Sequence, residues 1–166
     1  QLVQWTGLCP EEWVDAYAVS RTAMNDAPVG ELELHDEIKT ADGIMASDAG
    51  RLALGYEIHT LFAVDPDGAA VGHTAVQVNP YRPAASWQWD TVVLARHRQR
   101  GIGRWIKAAM WQYLREAAPE ATRLRTGNAV DNDPMLSINR AMGFVPTNRF
   151  GGWQADLDTY RRALAV

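Results

Sequence analysis

Thr91-Val92-Val93-Leu94-Ala95-Arg96-His97-Arg98-Gln99-Arg100-Gly101-Ile102-Gly103-Arg104 passes from a β-branched run into a basic glycine loop, and a helical pattern follows at once. The first four residues read as the end of a strand, and Trp105, Ala108, Ala109 and Tyr113 supply the buried face of a helix over 101–117. Backbone N–H groups at a helix start lack intrahelical partners, and the helix dipole adds positive potential there. Glycine at 101 and 103 lets that backbone approach a ligand without a Cβ in the way. Arg96, Arg98, Arg100 and Arg104 add permanent charge and forked donors suited to phosphate oxygens. Strand, loop and helix together predict an anion site, with a tight turn among solvated arginines as the plainer alternative.

The pattern narrows the anion. A Walker loop requires Gly-x-x-x-x-Gly-Lys-Ser/Thr, which is absent. A dinucleotide fingerprint requires a third glycine three residues after the second, where Ile106 stands.

Working outward, residues 87–94, 58–64 and 70–78 read as strands, the last two joined through the turn Asp65-Pro66-Asp67-Gly68 as a hairpin. Residues 2–5 read as a strand. A helix opens at Pro10, with Glu11 and Glu12 in its first turn, and runs to about Met24. A second helix is expected over 44–54, a strand over 123–126 and a short helix over 134–142. Residues 144–150 and 153–157 are expected to close the sheet as a hairpin across Gly151-Gly152. The order predicts a mixed α/β sheet in one domain spanning 1–166.

The length of 166 residues suits one domain, and 47% apolar with 22% charged residues is ordinary globular composition. No apolar run approaches the ~20 residues of a membrane span. Cys9 is the only cysteine, which excludes an internal disulfide framework and fits a reducing cytoplasm. His35, His59, His73 and His97 show no paired ligand spacing, so no metal is expected. The net charge of −4 argues against nucleic acid and suits a cationic substrate. The chain begins at Gln1 and enters a strand directly, from which a trimmed segment or another domain is expected ahead of it.

These residues resemble the GNAT N-acetyltransferase superfamily. Arg98-Gln99-Arg100-Gly101-Ile102-Gly103 fits its Arg/Gln-x-x-Gly-x-Gly/Ala signature in place, and Asn132, Met135, Asn139 and Gly143-Phe144 stand at its downstream spacings. Trp5-Thr6-Gly7, Asp26-Ala27-Pro28 and Thr126-Gly127-Asn128 are similar to actinobacterial-type GNAT domains that come in tandem, with mycothiol synthase as a relative. The resemblance implies a mostly antiparallel sheet of about seven strands with a V-shaped splay, flanked by about four helices. It implies acetyl-CoA as co-substrate, its pyrophosphate on the amides of Arg98 through Arg104 and its acyl carbonyl on a strand amide near Val93 or Leu94. Asn128, Asn132 and Asn139 are the further cofactor-side residues. A small-molecule amine is the implied acceptor, and the implied partner is a second GNAT domain or a homodimer.

For transfer to an amine, Asp90 and Asp131 are the candidates for base or amine anchor, with Gln88 and Asn128 as orienting groups. Each has a structural alternative: Asp90 bonded to a neighbouring backbone or an arginine, and Asp131 or Asn132 capping the helix that follows. Asn139 stands where many family members carry the tyrosine that protonates the leaving thiolate, and an amide is no general acid. Against an active transferase therefore stands a non-catalytic acyl-CoA-binding module. His59 and His73 are expected to face each other or the acceptor cleft, or to form a surface pair, and Trp5 is expected to meet Trp153.

Overall fold

A computed structural model describes residues 1–164, which form two compact units: residues 1–27 with 37–128, and residues 28–36 with 129–164.

The first unit is a sheet of five strands, β1 (Leu2–Thr6), β2 (Glu57–Val64), β3 (Ala70–Val78), β4 (Ser86–Val93) and β5 (Leu124–Arg125), lying in that order. The first four pair antiparallel; β5 runs parallel to β4. β2 and β3 form the expected hairpin. Asp65 closes its turn by accepting from the amides of Asp67 and Ala69 at 3.0 and 2.9 Å.

One face of the sheet is covered by α1 (Glu11–Thr22) and α2 (Ala41–Ala53), the other by α3 (Ile102–Ala117). Val14, Tyr17 and Ala18 recur at helical spacing on α1 and bury against Trp5, Phe62 and Val64. Tyr17 meets the rings of Trp5 and Phe62 edge-on at 5.2 and 5.6 Å. Thr40 caps α2 by accepting from the Gly43 amide at 3.2 Å. On the opposite face Met110, Leu114 and Ala118 pack on Leu61, Val76 and Val78. β2 is thus buried on both faces, which is why its sequence runs apolar rather than alternating.

Two irregularities shape the sheet around the glycine loop. Thr74 pairs with Thr91 and Val76 with Gln88, so Trp89 and Asp90 together oppose the single Ala75. This is a β-bulge, which bends the strand and re-aims its side chains. The β4–β5 pairing stops at Trp87 and Arg125, while β4 continues to Val93. The far edge of β4 is thereby released, which is the splay expected at this place.

In the second unit α4 (Asp133–Ala141) begins at Asn132, whose Oδ1 accepts from the Met135 amide at 3.2 Å. It ends in a Schellman motif. Phe144 N–H donates to Asn139 O at 3.0 Å and Gly143 N–H to Arg140 O at 3.1 Å, with Gly143 left-handed at φ 83°. The Gly143-Phe144 pair is therefore a helix stop. Gln154 makes two hydrogen bonds to the backbone of Glu33, at 2.8 and 2.9 Å.

Three expectations are corrected here. Among the described residues there are five strands, not seven, and five α-helices, not four. Residues 144–150 carry no strand, and instead of a strand over 153–157 the chain turns into α5 (Leu157–Leu164). Asp156 is the reason: its carboxylate accepts from both the amide and the hydroxyl of Thr159, capping a helix. Trp5 packs on Tyr17 and Phe62 within the first unit, and Trp153 is 97% exposed rather than packed.

Candidate active site

The loop between β4 and α3 is built by alternating backbone hand. A turn of 3₁₀ helix at Ala95–His97 follows β4, closed by Arg98 N–H on Ala95 O at 3.2 Å. Gln99 then takes φ 61° and Gly101 φ 77°, ψ 0°, two left-handed residues with one between. Such sequences turn successive amides into an anion-binding concavity. α3 starts at Ile102, and its amides at 102, 103 and 104 precede the first intrahelical bond, from Trp105 N–H to Gly101 O at 3.0 Å. A Cβ on Gly101 would project into open space at the mouth of this turn, with no atom within 4 Å. Loop and helix start fit a diphosphate.

The arginines divide. Arg98 Nε donates to Val93 O at 2.9 Å and its Nη2 to Asp26 Oδ2 at 2.7 Å, so its side chain lies back on its own strand. Arg96 Nη2 donates to Ala70 O at 3.1 Å and its Nε to His97 Nε2 at 3.0 Å. Arg100 and Arg104 are exposed and make no ion pair among the described residues. The charge at the loop that no carboxylate or carbonyl takes up is theirs. Farther along α3, Lys107 is buried, and burial pushes its ammonium down to about 8.

The Leu94 amide donates to Val71 O at 3.0 Å and is occupied by the β3–β4 ladder. Val93, whose carbonyl Arg98 holds, is the last residue of β4 and lies on the stretch that β5 has left.

The bulge breaks the alternation expected of Trp87, Gln88, Trp89 and Asp90. Gln88 is buried, and its amide donates to Thr74 Oγ1 and Ala75 O, both at 2.9 Å. Trp89 and Asp90 both reach the α1–α2 side. Arg51 of α2 lies over the Trp89 ring at 3.8 Å and pairs with buried Asp48 at 3.2 Å. Arg21 of α1 pairs with Asp90 at 3.2 Å, and His73 Nε2 stands 3.9 Å from the same carboxylate oxygen. Asp90 is thus in contact with an arginine, the structural alternative foreseen for it, yet its side chain keeps 24% exposure.

Burial pushes the Asp90 carboxyl up, but His73, Arg21 and Arg51 outweigh it and hold it below the ordinary carboxylate value. Asp48 goes the other way, because burial exceeds what Arg21 and Arg51 return. His73 is driven toward the neutral form by burial, with Arg21 adding to that and Asp90 opposing it. His59 lies on the α3 face instead, its Nδ1 3.1 Å from Thr6 Oγ1, so the two histidines occupy opposite sides of the sheet and neither is at the surface. Buried Cys9 is pushed up to about 12 by burial, which disfavours its thiolate.

Asn128 follows β5 in the first unit and is exposed. Asp131, Asn132 and Asn139 belong to the second unit. Asp131 is exposed; the cap of α4 is Asn132, and Asn139 is buried with its carbonyl in the Schellman stop. Sequence reading missed Ser20, Arg21, Asp48 and Arg51. For Ser20 and Arg21 the signal was present as polar residues beside Val14, Tyr17 and Ala18 on α1, whereas Asp48 and Arg51 lie on α2. Among the described residues no cluster of His, Cys, Asp or Glu forms a metal site, and no helix is long and apolar enough to cross a membrane.

The first unit thus carries a bulged strand that leads through an amide-rich turn into a helix. Residues 16–144 match the acetyltransferase (GNAT) family, and the chain belongs to it. It is similar to a tandem GNAT protein from the clavulanic acid biosynthesis pathway, at 32% identity and TM-score 0.71 over 88% of this chain and 42% of that one. The chain thus spans well under half of that protein. It shares its fold with the aminoglycoside acetyltransferase AAC(6')-Iy, solved with a CoA bisubstrate analogue, at 15% identity and TM-score 0.62 over 94% of this chain and 99% of that one. The same holds for ribosomal-protein-alanine N-acetyltransferase from Brucella melitensis, at 19% identity and TM-score 0.62 over 84% and 83%. None of the curated proteins compared matches the sequence.

Proposed function

We propose that this chain moves an acetyl group from acetyl-CoA to a primary amine of a small molecule by direct attack. The observation that carries the reading is the left-handed turn at Gln99–Gly101 opening α3 beside the released edge of β4. The amides of Gln99 through Arg104, with the charges of Arg100 and Arg104, hold the pyrophosphate, and the Val93 stretch of β4 faces the acyl end; the Arg98 amide is taken by Ala95 O. Acetyl-CoA supplies an activated thioester carbonyl. The amine nitrogen forms the C–N bond as the C–S bond breaks, and the thiolate leaves without a tyrosine, since Asn139 stands at that position.

Of the two roles open to Asp90, amine anchor is the better supported. A general base works best with an ionisation near the working pH, and Asp90 is held below the ordinary carboxylate value. An ionised, partly exposed carboxylate suits an incoming ammonium, with water taking the proton. Asp131 remains the second candidate for the base. The acidic net charge suits a cationic acceptor. The likeness to a tandem protein supports a second GNAT domain as partner, with a homodimer as the other arrangement, and the single buried cysteine suits a reducing cytoplasm.

The buried amide at Asn139 favours one other reading, a non-catalytic acyl-CoA-binding module. Thiol release from acetyl-CoA across a panel of small amines separates them. Amine-dependent release that Asp90→Ala weakens supports transfer; acetyl-CoA binding with no release above the buffer rate supports the module.

A further inference from the structure

Ser20 and His73 are both fully buried, and Ser20 Oγ lies 2.7 Å from His73 Nδ1. The ring is wedged. Tyr17 meets it edge-on at 5.0 Å, and Phe62 and Val92 are its partners across the β2–β3 and β3–β4 ladders. Its other nitrogen, Nε2, is buried with no hydrogen-bond partner among the described residues and stands 3.9 Å from Asp90 Oδ2. The remaining charged groups of the cluster are Arg21 from α1 and Asp48 and Arg51 from α2, with the Tyr17 hydroxyl pushed up to about 12 by burial.

This geometry selects the tautomer. A lone pair on Nε2 would oppose the Asp90 carboxylate, so the proton sits on Nε2, and Nδ1 accepts from the Ser20 hydroxyl. Serine, histidine and aspartate in line suggest a nucleophilic relay, but the exposures run the wrong way. Ser20 is sealed and its proton is given to Nδ1, while the accessible member is the acid.

We infer that His73, oriented by Ser20, is a positioning residue that together with Arg21 seats the Asp90 carboxylate on the acceptor side of the β4 bulge. Arg21 pairs with one oxygen at 3.2 Å and His73 Nε2 lies 3.9 Å from the same oxygen, so the other oxygen is left for the amine. The effect on the amine rests on the transferase reading; the seat itself does not.

The test is therefore read in two ways. The ¹³C resonance of the Asp90 carboxyl is titrated in the free protein for wild type, His73→Leu, His73→Gln and Ser20→Ala, and the amine KM, acetyl-CoA KM and kcat are measured for each. His73→Leu should raise the Asp90 midpoint by about one pH unit and the amine KM about tenfold, with the acetyl-CoA KM unchanged. His73→Gln, which restores a donor, should recover most of both, and Ser20→Ala should give a smaller shift of the same sign. A folded His73→Leu variant with an unmoved Asp90 midpoint overturns the proposal. If His73→Leu does not fold, Ser20→Ala decides in its place: a shift upward supports the seat and none overturns it. Absence of turnover in wild type would sink the transferase reading alone, since the carboxyl titration needs no substrate.

Discussion

Arg98 Nε donates to the carbonyl oxygen of Val93 at 2.9 Å, five residues back along the chain, so this arginine, though half exposed, holds the end of β4. Its second contact, to Asp26, ties the same point to the turn after α1. Charge for an anion at this loop then comes from Arg100, Arg104 and the amides of the α3 start.

It follows that the arginines separate by phenotype. Arg100→Ala and Arg104→Ala should each weaken acetyl-CoA binding about three- to tenfold with no change in stability, and the loss should shrink as salt is raised. Arg98→Ala should act on the fold. Its pair with Asp26 is half exposed and worth under about 1 kcal/mol, so thermal unfolding should fall only slightly. Calorimetric titration and melting of the three variants check the division.

Gly72 pairs with Val93 across the β3–β4 ladder. A Cβ there would lie 2.3 Å from Val92 O and 3.1 Å from Val93 Cα, both backbone atoms that cannot rotate away. Gly72→Ala should cost about 2–4 kcal/mol, read by chemical denaturation. Gly101→Ala, with open space around its Cβ, should cost only the strain of a left-handed alanine, about 1 kcal/mol.

The strand-loop-helix was readable because each step carries its own signal: β-branched residues, then glycines at the turn, then helical spacing. The β2–β3 hairpin was readable from Asp65-Pro66-Asp67-Gly68 for the same reason. The bulge was not. Trp87-Gln88-Trp89-Asp90 alternates as an ordinary strand does, and only the pairing with β3 shows that Trp89 and Asp90 share a place. The Asp90 seat was hidden likewise, because Ser20, Arg21, Asp48 and His73 come from three elements distant in sequence. The hairpin expected across Gly151-Gly152 was a misreading, although Asp156 with Thr159 is a helix cap written locally.

Asp48 gives a stability prediction. Its side chain is 4% exposed and Arg51 supplies its direct ion pair while stacking on Trp89. Arg51→Ala removes both contacts and leaves a buried carboxylate, and should destabilise by about 1–3 kcal/mol. Arg51→Lys should recover only part, since an ammonium does not stack as a planar guanidinium does.

Acid should unfold this protein in two stages. His73 and His59 are both held below the ordinary 6.5 by burial, so the unfolded chain takes up their protons first. Their contribution is complete above pH 6.5 and is lost as pH falls through the lower folded values. Asp90, held below its ordinary 3.8, contributes fully above about pH 4 and loses that contribution only in stronger acid. Denaturant titrations from pH 7 to 3 should show His73→Gln flattening the first decline and Asp90→Asn the second.

The most direct test of the central claim is calorimetric titration of acetyl-CoA into wild type and Gly101→Glu, with ATP and NAD as controls. Glutamate at 101 places a negative charge in the mouth of the turn at φ 77°. The account predicts micromolar binding of acetyl-CoA by wild type, none or far weaker binding of ATP and NAD, and loss of acetyl-CoA binding in a folded Gly101→Glu variant. Acetyl-CoA bound equally well by both proteins would place the co-substrate elsewhere and contradict the account.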